Sequence, residues 1–148
     1  KARGAHVTGT ARGAHHALLR DLGADELIDY RRTDFATTIT DPLDVVLDPL
    51  GGDYRTRSLP LLRPGGTLVS LQPHGTEELA AAARVAGVRG EVMIVEADHA
   101  GMTALADLAA SGRLRPVIAG THPLSEAAVA HAAGEAGGTT GKLVLLPD

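Results

Sequence analysis

The sequence has 148 residues, of which 44% are apolar and 22% charged, so it contains enough apolar material for one globular domain with its own core. Its net charge of −4 argues against nonspecific binding of nucleic acid. The absence of cysteine excludes disulfide bonds and thiolate metal sites within the chain, and since no apolar run approaches the roughly 20 residues that span a bilayer, we expect a cytoplasmic protein without a membrane partner.

Short apolar runs alternate with longer helical stretches along nearly the whole chain. Apolar residues at helical spacing predict the helices, and Gly23, Pro64 and Gly112 mark breaks. The predicted strands are Ala5–Ala11, Leu27–Tyr30, Asp44–Asp48, Thr67–Leu71, Val92–Val95, Pro116–Ala119 and Lys142–Leu146. The predicted helices are Gly13–Leu22, Asp53–Leu62, Glu77–Ala86, Ala100–Ser111 and Ser125–Glu135.

This alternation predicts an α/β fold with a doubly wound parallel sheet of the Rossmann type. Continuous apolar strands separated by helices indicate a parallel sheet covered on both faces, and right-handed crossovers favour double winding. We interpret Ala5–Ala11 as the second strand of the order 3-2-1-4-5-6. The first strand, which lies at the centre of that order, is then absent from the chain, so two strand edges stay open.

Six segments, in order, resemble the cofactor domain of medium-chain dehydrogenases/reductases. Within that superfamily they look most like the NADPH-dependent quinone oxidoreductase branch, which lacks catalytic zinc. The segments are Leu22–Arg31, Asp44–Gly52, Leu62–Leu71, Gly112–Ile118, Pro123–Leu124 and Gly141–Leu145.

The resemblance implies that residues 1–148 are a partial dinucleotide-binding domain. In full-length members a GroES-like catalytic domain, the first strand and a Gly-rich loop come before this region. The small-molecule substrate of such enzymes, a quinone, enone or carbonyl compound, binds between the two domains. We therefore expect an NADPH-dependent oxidoreductase that transfers hydride, and we expect this chain alone to be inactive.

The residue after the second strand points to NADP as the cofactor. In a dinucleotide-binding fold an acid at this strand end bonds the ribose 2′-hydroxyl of NAD, whereas an arginine accommodates the 2′-phosphate of NADP. Thr10 and Ala11 end the predicted strand, Arg12 follows, and no acid occurs between Gly4 and Arg20. A solvated loop arginine is the equally ordinary explanation of Arg12.

Further cofactor contacts are expected at the ends of the other strands. Gly51 permits close approach of a ligand to the backbone. The resemblance implies that Tyr30 lies near the adenosine phosphate, that Pro49 and Leu50 lie on the adenosine side, and that other strand ends approach the nicotinamide. The predicted cofactor-binding residues are Thr10, Ala11, Arg12, Tyr30, Pro49, Leu50, Gly51, Leu71, Gln72, Val95 and Lys142. No catalytic residue and no metal ligand is predicted, because the cofactor itself carries the hydride chemistry.

Two other functions remain open from the residues. Leu62–Val69 also resembles a segment of S-adenosylmethionine-dependent methyltransferases, although the acid expected after their second strand is missing. A non-catalytic dimerisation module is the other alternative. The resemblance implies that a homodimer would form through the predicted strand Val92–Val95.

Overall fold

A computed structural model of the protein describes residues 1–147, and within them seven strands and six α-helices are found. Strands β1 to β7 span Thr8–Ala11, Glu26–Asp29, Leu43–Asp48, Leu62–Ser70, Arg89–Val92, Ile118–Pro123 and Lys142–Leu146. Helices α1 to α6 span His16–Asp21, Phe35–Thr38, Asp53–Ser58, Thr76–Val85, His99–Ala110 and Ala127–Glu135. Short 3-10 helices occur at Gly13–His15, Leu59–Leu61 and Leu124–Glu126.

The chain divides into two compact units. The first extends over Arg3–Ala97 and holds β1 to β5; the second begins at Asp98 and holds β6 and β7 with α5 and α6. In the second unit, β6 and β7 are parallel. Whether the region acts as one dinucleotide-binding domain stays a prediction.

In the first unit every strand pairing is parallel, which confirms the predicted α/β architecture. β1 pairs with β2, and β3, β4 and β5 form a second sheet in that order. Within the described residues, β1 and β3 each keep one unpaired edge, where the sequence analysis expected the first strand to be missing. Val45 and Leu47 on β3 are 61% and 60% exposed, although strands of a parallel sheet are normally covered on both faces.

The core of the first unit lies between α4 and the sheet of β3, β4 and β5. Leu79 and Ala83, four residues apart on α4, face this sheet and are buried with Leu68 of β4. Gly90 of β5 makes the close approach possible, since a Cβ there would lie 2.9 Å from the Cβ of Ala83 and 2.9 Å from the Cγ of Leu79. A side chain at Gly90 would therefore force α4 away from the strand beneath it.

The prediction of a strand at Val92–Val95 is wrong in its bounds. β5 is Arg89–Val92, in register with Thr67–Ser70 of β4, and Met93–Val95 lie beyond it. The apolar run drew the prediction towards the exposed residues that follow the strand. The strand begins with Arg89, whose Nε donates to Thr67 Oγ1 at 3.0 Å. A search for apolar runs does not detect an edge strand that begins with polar residues.

Three other strand boundaries and one helix differ from expectation. β1 begins at Thr8 instead of Ala5. β4 begins at Leu62 instead of Thr67. Pro64 and the glycines after it were expected to form a turn, but they belong to the strand, at the point where its register with β3 shifts. β6 runs from Ile118 to Pro123, later than the predicted Pro116–Ala119. The short α2 was missed, since four residues carry too little periodicity to be seen.

No helix in the part of the chain that the structure describes is both long enough and apolar enough to cross a lipid bilayer. The cytoplasmic location stays a prediction.

Candidate functional site

Most predicted cofactor-binding residues of the first unit follow the carboxyl ends of parallel strands. Thr10 and Ala11 end β1 and Arg12 follows them, and Tyr30 comes directly after β2. Residues 49–51 follow β3 and residues 71–72 follow β4. Ligands of open α/β sheets bind at this end of the strands, so the local topology places these residues where a ligand is expected.

Arg12 and Tyr30 meet because their strands are in register. Ala11 pairs with Asp29, so the next residue of each strand projects from the same edge, and Arg12 Nε donates a hydrogen bond to Tyr30 Oη at 3.2 Å. This hydrogen bond, together with the charges of Arg12 and Arg31, lowers the pKa of Tyr30 below its ordinary value of 10.0. The strand ends thus carry a cluster of positive charge around an exposed phenol.

An acid nevertheless lies beside the end of β1. Asp29 is on the neighbouring strand, where Oδ1 accepts a hydrogen bond from the Arg31 amide at 3.1 Å. Oδ2 lies only 2.9 Å from the position that a Cβ would take at Gly13. Asp29 was not predicted as a site residue, because it belongs to β2 and only the parallel register places it beside the end of β1.

A cleft of about 320 Å³ opens next to Tyr30. Its walls carry three arginines and three aromatic rings, namely Arg31, Arg32, Arg57, Tyr30, Phe35 and Tyr54. The Phe35 and Tyr54 rings stack with centroids 6.1 Å apart, and the Arg57 guanidinium lies 4.8 Å from the Phe35 ring centre. Arg57 is also paired with Asp34, which caps α2 by accepting from the Ala36 amide. The cleft is suited to a planar or anionic group.

The ends of β3 and β4 are held against each other. The Leu71 amide donates to the Asp48 carbonyl at 2.9 Å, and Gln72 Nε2 donates to the Pro49 carbonyl at 2.7 Å. Gly51 has a φ of 74°, and a Cβ there would lie 3.1 Å from the Gln72 Cγ. The structure therefore brings Pro49, Gly51, Leu71 and Gln72 together, while the Leu50 side chain is exposed.

Beneath this pair of strand ends lies a buried polar network that the sequence analysis did not predict. It is formed by Asp48, Arg55 and Ser70. The Asp48 carboxylate is 4% exposed and accepts hydrogen bonds from the amides of Leu50 and Gly51. A signal was present in the sequence, since Asp48 ends an apolar strand and Arg55 follows on the next helix.

Two predicted residues are not joined to the others. Val95 lies three residues beyond β5 and is 83% exposed, and Lys142 belongs to the second unit, where it begins β7 and its amide donates to the Val117 carbonyl at 2.8 Å. Their cofactor roles stay predictions.

Among the described residues, no group of three or more His, Asp or Glu side chains is arranged to hold a metal ion. Asp98, which precedes His99 in the sequence, caps α5 by accepting hydrogen bonds from the amides of Ala100 and Gly101.

Comparison with known proteins gives the chain a family. The sequence profile described as "Zinc-binding dehydrogenase" matches residues 22–145. The 2-haloacrylate reductase of a Burkholderia species is 33% identical, over 97% of this chain and 49% of that protein. Two quinone oxidoreductase structures also match, from Coxiella burnetii (TM-score 0.83, 32% identity, 95% of this chain and 44% of that one) and from Pseudomonas syringae pv. Tomato (TM-score 0.79, 28% identity, 99% and 50%).

The chain spans about half the length of these three relatives. The match extends over nearly the whole chain in the reductase sequence and in both solved structures. The chain therefore belongs to the zinc-binding dehydrogenase family, and its fold is that of the cofactor-binding domain of the medium-chain dehydrogenase/reductase superfamily, in the quinone oxidoreductase-like branch that its sequence motifs predicted.

Proposed function

We propose that this chain forms the NADPH-binding part of an oxidoreductase that reduces a quinone, an enone or a carbonyl compound. NADPH, when bound, supplies the hydride. The residues of the chain select NADPH by its adenosine 2′-phosphate. The rest of the cofactor lies along the carboxyl ends of the strands and is bound there. The 2-haloacrylate reductase and quinone oxidoreductases among its relatives support the substrate class.

The observation that carries the proposal is the contact between Arg12 and Tyr30. A planar guanidinium at the end of β1 offers paired N–H donors of the kind that phosphate oxygens accept. The Tyr30 hydroxyl, to which Arg12 Nε donates at 3.2 Å, keeps that guanidinium at the strand end. Arg31 and Arg32 on the adjoining cleft add positive charge on the same side.

We propose that no zinc site lies within this part of the protein. The sequence has no cysteine, and among residues 1–147 the histidines and carboxylates form no cluster of three. No step of the proposed function involves zinc.

A binding experiment with cofactor fragments tests the selection of NADPH directly. The probes are 2′,5′-ADP, which carries the 2′-phosphate, and 5′-AMP, which lacks it. Neither probe contains a pyrophosphate, so a difference in their affinities reports on the 2′-phosphate alone. We expect titration calorimetry or NMR shifts to show 2′,5′-ADP bound roughly tenfold to a hundredfold more tightly, since a charge-assisted hydrogen bond contributes about 1.5–3 kcal/mol. S-adenosylmethionine, as a third probe, should not compete.

The variant Arg12→Ala should bring the two fragment affinities close together. Arg20→Ala, which removes an exposed arginine from the last turn of α1, is the matched control and should keep the preference. Equal affinity of the unmodified chain for both fragments would remove the basis for NADPH selection.

We also propose a homodimer formed through the outer strand of the second sheet. β5 is the edge of that sheet, and the residues that follow it, Met93, Ile94 and Val95, are exposed apolar side chains. An edge strand continued by apolar residues is a surface on which a second copy can pair. Light scattering should give twice the chain mass, and Ile94→Asp should return the mass to that of one chain; an unchanged mass in the variant would locate the contact elsewhere.

A further inference from the structure

A buried polar network of the first unit converges on the side chain of Arg55, which is not among the predicted site residues. The Arg55 side chain, on α3, is 11% exposed. Its Nε and Nη2 donate to Ser70 Oγ at 3.1 and 2.9 Å, and Nη2 also donates to the Gln72 carbonyl at 2.7 Å. Nη1 donates to the carbonyls of His74 and Gly75. These contacts match the five N–H groups of a guanidinium.

The same guanidinium also faces the end of the neighbouring strand. Arg55 Nε lies 3.8 Å from Asp48 Oδ2, and Asp48 holds the amides of Leu50 and Gly51. One cation thus joins the turn after β3 to the end of β4 and to the loop that leads into α4. Its donors are engaged inside the protein, so Arg55 is not available to bind a phosphate itself.

One glycine leaves room for this arrangement. A Cβ at Gly75, where φ is 74°, would lie 2.8 Å from Arg55 Nη1, whereas a Cβ at Gly51 would lie 3.7 Å from Nη2, an ordinary contact. The backbone at Gly75 therefore approaches the guanidinium more closely than a larger residue there would allow. A lysine could keep the positive charge, but its single ammonium group cannot form the same fork.

We propose that Arg55 is a positioning residue, which fixes the turn at residues 49–51 and the loop at residues 71–75 in the conformation that receives the cofactor. Its effect on the cofactor rests on the proposed function above. The effect on the two backbone segments does not, because it follows from the hydrogen bonds alone.

The test compares Arg55→Met and Arg55→Lys with Arg84→Met, which removes an exposed arginine from the end of α4. Hydrogen–deuterium exchange is followed in peptides that cover residues 49–52 and 70–76, and NADPH affinity and thermal unfolding are measured on the same samples. In Arg55→Met we expect exchange in both peptides to quicken by about tenfold or more and NADPH to bind about tenfold more weakly. Arg84→Met should match the unmodified chain.

Arg55→Lys separates positioning from bulk stability and serves if Arg55→Met does not fold. We expect it to unfold near the temperature of the unmodified chain and still to show fast exchange and weak NADPH binding. A lysine variant with slow exchange and full affinity would overturn the proposal, as would unchanged exchange in Arg55→Met. If the unmodified chain binds 2′,5′-ADP no more tightly than 5′-AMP while Arg55→Met still opens both segments, the proposed function fails and the positioning of the strand ends by Arg55 is supported.

Discussion

Arg12 Nε and Tyr30 Oη lie 3.2 Å apart, and this hydrogen bond joins residues that are 18 positions apart in the sequence at the ends of two parallel strands. The register of β1 with β2 makes the contact. Its strength bears on the ionisation of the phenol, because a donor and a positive charge beside Tyr30 favour the phenolate.

An alkaline titration checks that relationship. The pKa of Tyr30 is lowered from 10.0, so the folded protein favours the ionised form; the resulting stabilisation is fully present above pH 10 and is lost as the pH falls through the lowered pKa. Because the chain also contains Tyr54, the Tyr30 transition is obtained as the difference in phenolate absorbance between the unmodified chain and Tyr30→Phe. Arg12→Ala should move the transition to higher pH, and an unmoved transition would contradict the contact.

Asp29 should weaken the preference for NADPH. Its carboxylate lies beside Gly13, next to the Arg12 that we expect to meet the 2′-phosphate, and like charges repel. Asp29→Asn should raise the affinity ratio of 2′,5′-ADP to 5′-AMP roughly threefold to tenfold, as expected for the removal of about 1 kcal/mol of repulsion near the surface. Asp41→Asn, an exposed carboxylate before β3, is the control. A ratio that falls in Asp29→Asn would mean that Asp29 orients Arg12 instead of opposing the phosphate.

The stability of the first unit should decline in acid partly through Asp25. Its carboxylate accepts hydrogen bonds from Lys1 Nζ at 2.8 and 2.9 Å and from the Val7 amide at 2.7 Å. The bond from Lys1, then that from Val7, lowers the pKa of Asp25 below 3.8. Because the folded pKa is the lower one, this stabilisation is present above pH 3.8 and is lost as the pH falls through the folded pKa.

Denaturant unfolding of Asp25→Asn should therefore show a lower midpoint than the unmodified chain at pH 7. The difference should shrink as the pH is lowered from 3.8 through the folded pKa of Asp25. A difference that stays constant through that range would show that the ionised carboxylate contributes nothing.

Gly90→Ala should destabilise the first unit by about 1–3 kcal/mol, the usual cost of an added methyl group in a packed core. The new Cβ would meet Ala83 and Leu79 at 2.9 Å, and α4 would have to move. Gly9→Ala is the control on β1, since its Cβ would lie 3.4 Å from the Leu27 Cδ2, an ordinary contact. Equal free energies of unfolding for both variants would contradict the close packing of α4 on β5.

The sequence was sufficient for features that repeat along the chain. Apolar runs located most strands to within a few residues, and the order of the motifs identified the family, because both are properties of contiguous residues. Contacts between neighbouring strands were out of reach. That Asp29 lies beside Ala11 follows only from the register of β1 with β2. The guanidinium of Arg55 donates to three backbone carbonyls, and a backbone carbonyl is present at every residue whatever the sequence.

The predicted bounds of β5 were wrong because its apolar residues and its paired residues are not the same ones. Met93–Val95 are apolar but unpaired, whereas Arg89 and Glu91 are charged and lie in a strand. The pairing of β5 with β4 depends on the turn at residues 86–88, whose geometry no apolar pattern encodes. The residues predicted for dimerisation therefore lie mostly beyond the strand to which they were assigned.

The open side of β3 has a consequence for handling the protein. Val45 and Leu47 present apolar side chains beside a row of backbone groups that no described strand occupies. Such an edge promotes cross-β aggregation, and it contains no proline to oppose it. We expect the purified chain to precipitate increasingly as its concentration rises. The variant Val45→Lys should reduce this precipitation.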